Sequence, residues 1–255
     1  MDTLDHRTLV AEEAARFAAL IRGVDLATPV PGCPGWTLLE LTRHAGSVQR
    51  WFAGLLNQRI QQPPARREVE LDLPATVDGY PQWLLAGAAV AAEAFAGIEP
   101  ETAMWAWGPD QHARFWARRM LFELLVHRAD AELALGLRPE FDAAVAADGI
   151  DEFLTNLPSA GIFAPQVAQL RGTGETIGFA RTDGSGSWLV RLDPDGFGLT
   201  TADPAGPADP ATATVRGTAA DLLLLLYGRL DRTAPAFEVG GDEELLARWF
   251  ANSAF

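Results

Sequence analysis

Glu123 and His127 stand four residues apart in MLFELLVHRADAELALG. On a helix, such residues share a face with their Cβ atoms about 5–6 Å apart. A carboxylate and an imidazole can then reach one point in space. An earlier segment, TLLELTRHAGSVQRWFAGLL, carries His44. There Leu41, His44, Val48, Trp51 and Leu55 follow heptad-like spacing, which puts His44 on the apolar stripe. Polar groups facing a core need partners, because burying them unpaired is costly. A divalent cation would satisfy all three. Two histidines and one carboxylate, with coordination positions left open, form a catalytic rather than a structural metal set. The plainer alternatives are a Glu–His pair on a solvated helix face and a satisfied core histidine. Leu121, Phe122, Leu124, Leu125 and Val126 surround Glu123. A helix apolar almost all round is expected to be buried, which weakens the surface-pair alternative.

Several neighbours bear on that chemistry. Asp130 follows His127 by three residues and could accept a proton from its second ring nitrogen; a helix salt bridge with Arg128 is the competing use. Arg114, Arg118, Arg119 and Arg128 crowd the same helix. They could form a basic wall for a carboxylate-bearing substrate, or i,i+4 salt bridges such as Arg119 with Glu123. Cys33, the single cysteine, precedes Pro34, Gly35 and Trp36 at a helix entry. It reads as a small buried residue rather than a nucleophile. Trp105, Trp107 and Trp116 could line a cleft mouth or simply pack.

Composition narrows the class. The net charge of −14 opposes a general electrostatic footprint on nucleic acid or an anionic membrane. No apolar run reaches the roughly 18 residues of a membrane span, and MDTLDHRTL lacks signal-peptide character. A cytoplasmic protein is expected, and one cysteine allows no internal disulfide. Lysine is absent and asparagine scarce, while Ala, Gly, Arg and Pro abound. The avoided residues have AT-rich codons, as in a high-GC genome such as that of an actinobacterium.

The elements that must position these residues fall into two halves. Helices are expected over about residues 4–23, 37–56, 79–97 and 111–136, with Thr37 and Glu40 forming a capping box. Residues 58–75 read as a loop, and WAWGPDQHA as a second one. Four helices with one long crossing loop suggest an antiparallel bundle. A fifth helix, about Asp142 to Asn156, leads away from it. After Pro158 the pattern alternates. GETIGFART, GSWLVRLD, FGLTTA and ATATVRG read as strands, TAADLLLLLYGR as a buried helix, Phe237–Gly240 as a strand and DEELLARWFANS as a terminal helix. The expected fold is α+β with two domains. Residues 1–157 form the helical bundle and residues 158–255 a small domain with a mainly antiparallel sheet.

CPGWTLLELTRHAGSV, FWARRMLFELLVHRADAE, AADGIDEFL and TVRGTAADLLLLLYGRL together resemble the mycothiol-dependent maleylpyruvate isomerase family, whose bundle belongs to a wider DinB-like group. The resemblance implies zinc or a similar divalent ion held by His44, Glu123 and His127. It implies mycothiol as the thiol and a small electrophilic substrate as the other partner. It also gives Arg229, after the run LLLLLYG, a catalytic role: anchoring a carboxylate across a cleft expected between the two halves. A helix-end charge favoured by the macrodipole is the other use of Arg229. A metal-coordinated thiol is deprotonated, and the thiolate is the nucleophile. Expulsion after addition to a double bond gives isomerisation. Retention gives an S-transferase. A metal- or ligand-binding protein without catalysis is the reading from a different class. Oligomeric state is not legible.

Overall fold

The structure, a computed structural model, describes residues 4–65, 69–200 and 211–254. It divides into two compact units, residues 1–140 and 141–255. The change in composition puts this boundary at 157/158. The difference is helix α5 (Ala143–Asn156), whose buried residues Val145, Ile150, Phe153 and Leu154 face the second unit's helix α6 (Ala219–Leu226). Phe153, for example, lies 4.8 Å from Tyr227 between ring centroids.

The first unit contains α1 (His6–Leu20), α2 (Leu38–Gln58), α3 (Tyr80–Ala96) and α4 (Ala113–Ala134). Helix α2 packs on α3, α3 on α1, α1 on α4, and α4 on α2, closing the bundle. Each start has a local cause. Asp5 caps α1 by accepting from the Arg7 and Thr8 amides. The Thr37 amide donates to Glu40 Oε2 at 2.9 Å, completing the expected capping box of α2. Along α2 and α4, His44 meets Glu123 while Trp51 meets Trp116. Numbers rise on one helix as they fall on the other, so the pair is antiparallel. The core holds Phe17, Phe52, Leu84, Leu121 and Phe122, all essentially unexposed. At Gly46 the helices approach so closely that a Cβ would sit 2.2 Å from the Trp83 ring. A salt bridge of Arg128 with Glu13, 2.6 Å, ties α4 to α1, and Glu132 accepts from the same guanidinium at 2.5 Å.

The second unit contains α5, strands β1 (Thr176–Arg181), β2 (Ser187–Asp193), β3 (Gly196–Thr200) and β4 (Ala213–Gly217), helix α6, β5 (Glu238–Gly241) and α7 (Glu243–Asn252). The end of the expected FGLTTA strand, residues 201 and 202, lies outside the described residues. The sheet order is β3-β2-β1-β4-β5, with β1 and β4 parallel and every other pair antiparallel. Ile177 stands opposite Val190 and Phe179 opposite Trp188. Period-2 alternation buries Ile177, Phe179, Val190, Leu192, Ala213 and Val215. Trp249 of α7 lies 6.0 Å from Phe179 and 5.7 Å from Phe197. Short 3-10 turns lie at Val77–Gly79, Leu157–Ile162 and Pro165–Gln169, where the sequence pattern gives no such signal. Among the described residues, no helix is long and apolar enough to cross a membrane.

Candidate metal centre

The structure brings His44, Glu123 and His127 together. His44 Nε2 lies 2.8 Å from Glu123 Oε1, and His127 Nε2 lies 3.4 Å from the same oxygen. One ligand atom from each residue falls within 4.8 Å of the others. The two imidazole rings meet edge to face, 4.8 Å between centroids. The setting is more open than a core stripe implies: the His44, Glu123 and His127 side chains are 29%, 25% and 13% exposed. The apolar residues around Glu123 are buried as expected, but the α2–α4 seam reaches the surface at the polar groups.

The donor set fits a divalent ion. Ligands about 2.1 Å from a tetrahedral zinc stand about 3.4 Å from one another. The His127–Glu123 separation already has that value. His44 sits closer to Glu123 and would withdraw by about half an ångström. Without an ion, the three groups satisfy one another. Burial pushes the Glu123 carboxyl up, but hydrogen bonds from His127 and His44 and the charges of His127 and Arg119 outweigh it and hold Glu123 well below the usual carboxylate range. Burial pushes His127 down, while hydrogen bonds with Asp130, Cys33 and Glu123 and the Glu123 charge raise it well above the usual imidazole range. Arg119 Nη2 stands 3.7 Å from Glu123 Oε2, the i,i+4 bridge that the spacing allowed.

The loop before α2 closes over this cluster. The Val30 amide donates to Trp36 O at 2.9 Å, and the Trp36 amide donates to Cys33 O at 3.0 Å. Gly35 takes φ +84°, a left-handed conformation that glycine adopts without strain. The turn sets the Trp36 ring 5.0 Å from the His44 ring and 6.3 Å from the His127 ring. Sequence reasoning missed Trp36; its signal was the CPGW turn directly ahead of the capped helix that carries His44. The same turn places Cys33 Sγ 3.4 Å from Asp130 Oδ2, and His127 Nδ1 lies 3.0 Å from that oxygen. Cys33 is partly exposed, not the buried residue expected.

Other candidates divide differently. Arg114 pairs with Glu101 and with Asp110, the latter at 2.7 Å, and Arg128 with Glu13 and Glu132. Both guanidiniums therefore serve ion pairs, Arg114 with the segment ahead of α4 and Arg128 with α1 and its own helix. Trp116 is buried, 5.6 Å from Trp51 and 5.8 Å from Trp105. Trp107 packs edge-on against Phe115. In the second unit, Gly228 takes φ +73° after α6, and Arg229 Nη1 donates to Tyr227 O at 2.6 Å.

No curated protein matches the chain by sequence. Among solved structures, a histidine-to-alanine mutant of the mycothiol-dependent maleylpyruvate isomerase superposes with a TM-score of 0.62 at 12% identity, covering 92% of each chain. The unmutated mycothiol-dependent maleylpyruvate isomerase gives 0.57, also at 12% identity and 92% coverage of each. At that identity the likeness is one of fold. The sequence itself matches the mycothiol maleylpyruvate isomerase N-terminal domain over residues 8–132 and the MDMPI C-terminal domain over residues 144–248. With both domains matched in order along the chain, this protein belongs to the mycothiol maleylpyruvate isomerase family.

Proposed function

We propose that this chain is a mycothiol-dependent, divalent-metal-dependent enzyme. Its substrate is a small electrophile bearing a carboxylate, and its reaction is cis–trans isomerisation. The observation that carries the reading is the convergence of two imidazoles and one carboxylate from α2 and α4. Together, a bound divalent ion and mycothiol supply a thiolate for reversible addition to an electron-poor double bond.

The chain's own residues have separable tasks. His44 Nε2, a Glu123 oxygen and His127 Nε2 would hold the ion, a three-donor set of the kind that catalytic sites use. Arg119 stands beside Glu123 and favours its ionised, metal-binding form. Trp36 covers the imidazole rings and limits water on that side. Arg229 anchors a carboxylate of the substrate or thiol, where a planar guanidinium gives bidentate recognition.

The test is product analysis after incubating the zinc-loaded protein with mycothiol and maleylpyruvate or related unsaturated acids. An isomer of unchanged mass, formed only with thiol and metal, is the expected result. A stable thioether adduct would instead identify an S-transferase. Absence of any product across the electrophiles would leave a binding protein and overturn the enzyme reading.

A further inference from the structure

His127 faces two different groups through its two ring nitrogens. Nε2 points to Glu123 Oε1 at 3.4 Å, within the proposed metal triad. Nδ1 lies 3.0 Å from Asp130 Oδ2. The Asp130 side chain has no exposed surface, and the same oxygen accepts from Cys33 Sγ at 3.4 Å. The arrangement follows from one helix: Glu123 lies one turn before His127 on α4 and Asp130 nearly one turn after it.

Both nitrogens thus face a carboxylate oxygen, and with an ion held on the Nε2 side donor and acceptor chemistry would select the tautomer. An ionised carboxylate only accepts hydrogen bonds, and a thiol S–H donates. A carboxylate oxygen facing both Cys33 and Nδ1 calls for a proton on Nδ1. A neutral imidazole so protonated has its lone pair on Nε2, the nitrogen aimed at Glu123 and His44. We propose that Asp130 is a positioning residue that locks His127 as the Nδ1–H tautomer and so commits Nε2 to the metal, with Cys33 orienting the shared carboxylate oxygen. This rests on the metal reading above.

A competing arrangement exists. Cys33, His127 and Asp130 also offer donor atoms within 4.8 Å of one another. An ion taken there would bind Nδ1 and the sulfur, and the locking role would vanish. The two arrangements predict opposite proton positions on one ring.

The first measurement is long-range nitrogen–proton NMR on zinc-loaded protein carrying nitrogen-15 histidine. His127 should show a protonated Nδ1 and a metal-bound Nε2. A protonated Nε2 or a metal-bound Nδ1 overturns the proposal, and this needs no variant. The second is zinc affinity by chelator competition. Asp130→Asn can turn its amide NH2 toward Nδ1 and favour the wrong tautomer. Its affinity should fall about 10–100-fold, the usual effect of losing such a partner. Cys33→Ser keeps a donor and should stay within about threefold. A folded Asp130→Asn protein with wild-type affinity overturns the proposal. Cobalt-loaded wild type should lack a thiolate charge-transfer band, and its presence would place the ion on Cys33. Failure of wild type to bind zinc at all would overturn the metal reading itself. That result is seen before any variant is made.

Discussion

His44 and Glu123 are 79 positions apart in the sequence and 2.8 Å apart in space, one on α2 and one on α4. Their contact makes a donor set from two helices that also meet through Trp51 and Trp116. Removing either member should therefore cost metal and leave the bundle. We expect about one equivalent of zinc on protein purified without an affinity tag, given a single three-ligand site. A His44→Ala, His127→Ala double variant should lose it while keeping its helical circular dichroism. Undiminished zinc in that variant, by elemental analysis, would sink the assignment.

Metal binding should release protons, with a defined sign. The Asp130, Cys33 and Glu123 neighbours raise His127 above the ordinary imidazole range in the metal-free protein. Its ion-pair stabilisation is then fully present below the unfolded imidazole value and fades as pH rises through the higher folded value. Glu123 is held low, so its contribution is present above the unfolded carboxylate value and fades only in acid. Zinc needs a neutral imidazole. Its affinity should rise with pH by up to about tenfold per unit for this one proton, levelling off once His127 has deprotonated. Calorimetry in buffers of different ionisation enthalpy reads the released protons directly. A pH-independent affinity across the neutral range would contradict the arrangement.

Legibility in the sequence followed locality. Thr37 and Glu40 mark the start of α2 because a capping box is made within one turn. The Glu123/His127 pairing was legible because i,i+4 geometry is fixed by the helix. That His44 would join them rested on an apolar stripe, and the stripe does not say which helix it meets. The same limit explains α5: its apolar face was visible, but its partner, α6, lies more than sixty residues on. Trp36 depended on a turn closed by three backbone hydrogen bonds and a left-handed Gly35, a shape that composition alone does not specify. The openness around Glu123 also escaped, since an apolar helix can present a few polar groups at a seam between neighbours.

Cys33 should be dispensable for chemistry. Its sulfur contacts Asp130, and a serine hydroxyl can donate to the same oxygen. Cys33→Ser should retain most of its activity when mycothiol and metal are supplied. A folded, metal-loaded but inactive variant would argue that the protein's own thiolate attacks the substrate.

Gly46 should tolerate no side chain. A Cβ there would meet the Trp83 ring at 2.2 Å, and that ring is tethered by its Nε1–H to Leu71 O at 2.6 Å. A flat ring so held cannot turn aside as a flexible chain end would. Overpacking of this kind costs about 1–3 kcal/mol. Gly46→Ala should lower the denaturant midpoint accordingly, whereas Gly54→Ala, on the same helix with open space around it, should not. Equal midpoints for the two variants would show that α2 and α3 separate freely.

Arg229 tests whether the second unit takes part in chemistry. Its guanidinium donates to Tyr227 O at the end of α6, which by itself suits a helix-end charge. A carboxylate anchor makes a further demand: the planar fork must engage an anion. Arg229→Ala should then lower kcat/KM about 30-fold or more, as loss of a charged contact of about 2–5 kcal/mol would. Zinc content should be unchanged. Arg229→Lys keeps the charge but not the fork, so it should rescue poorly. Thermal midpoints measured on the same samples separate the two roles, because a helix-end charge is worth only about 0.3–1 kcal/mol and acts on stability rather than on turnover. Wild-type kinetics in Arg229→Ala, with a slightly lowered midpoint, would reduce the residue to that role and remove it from the reaction.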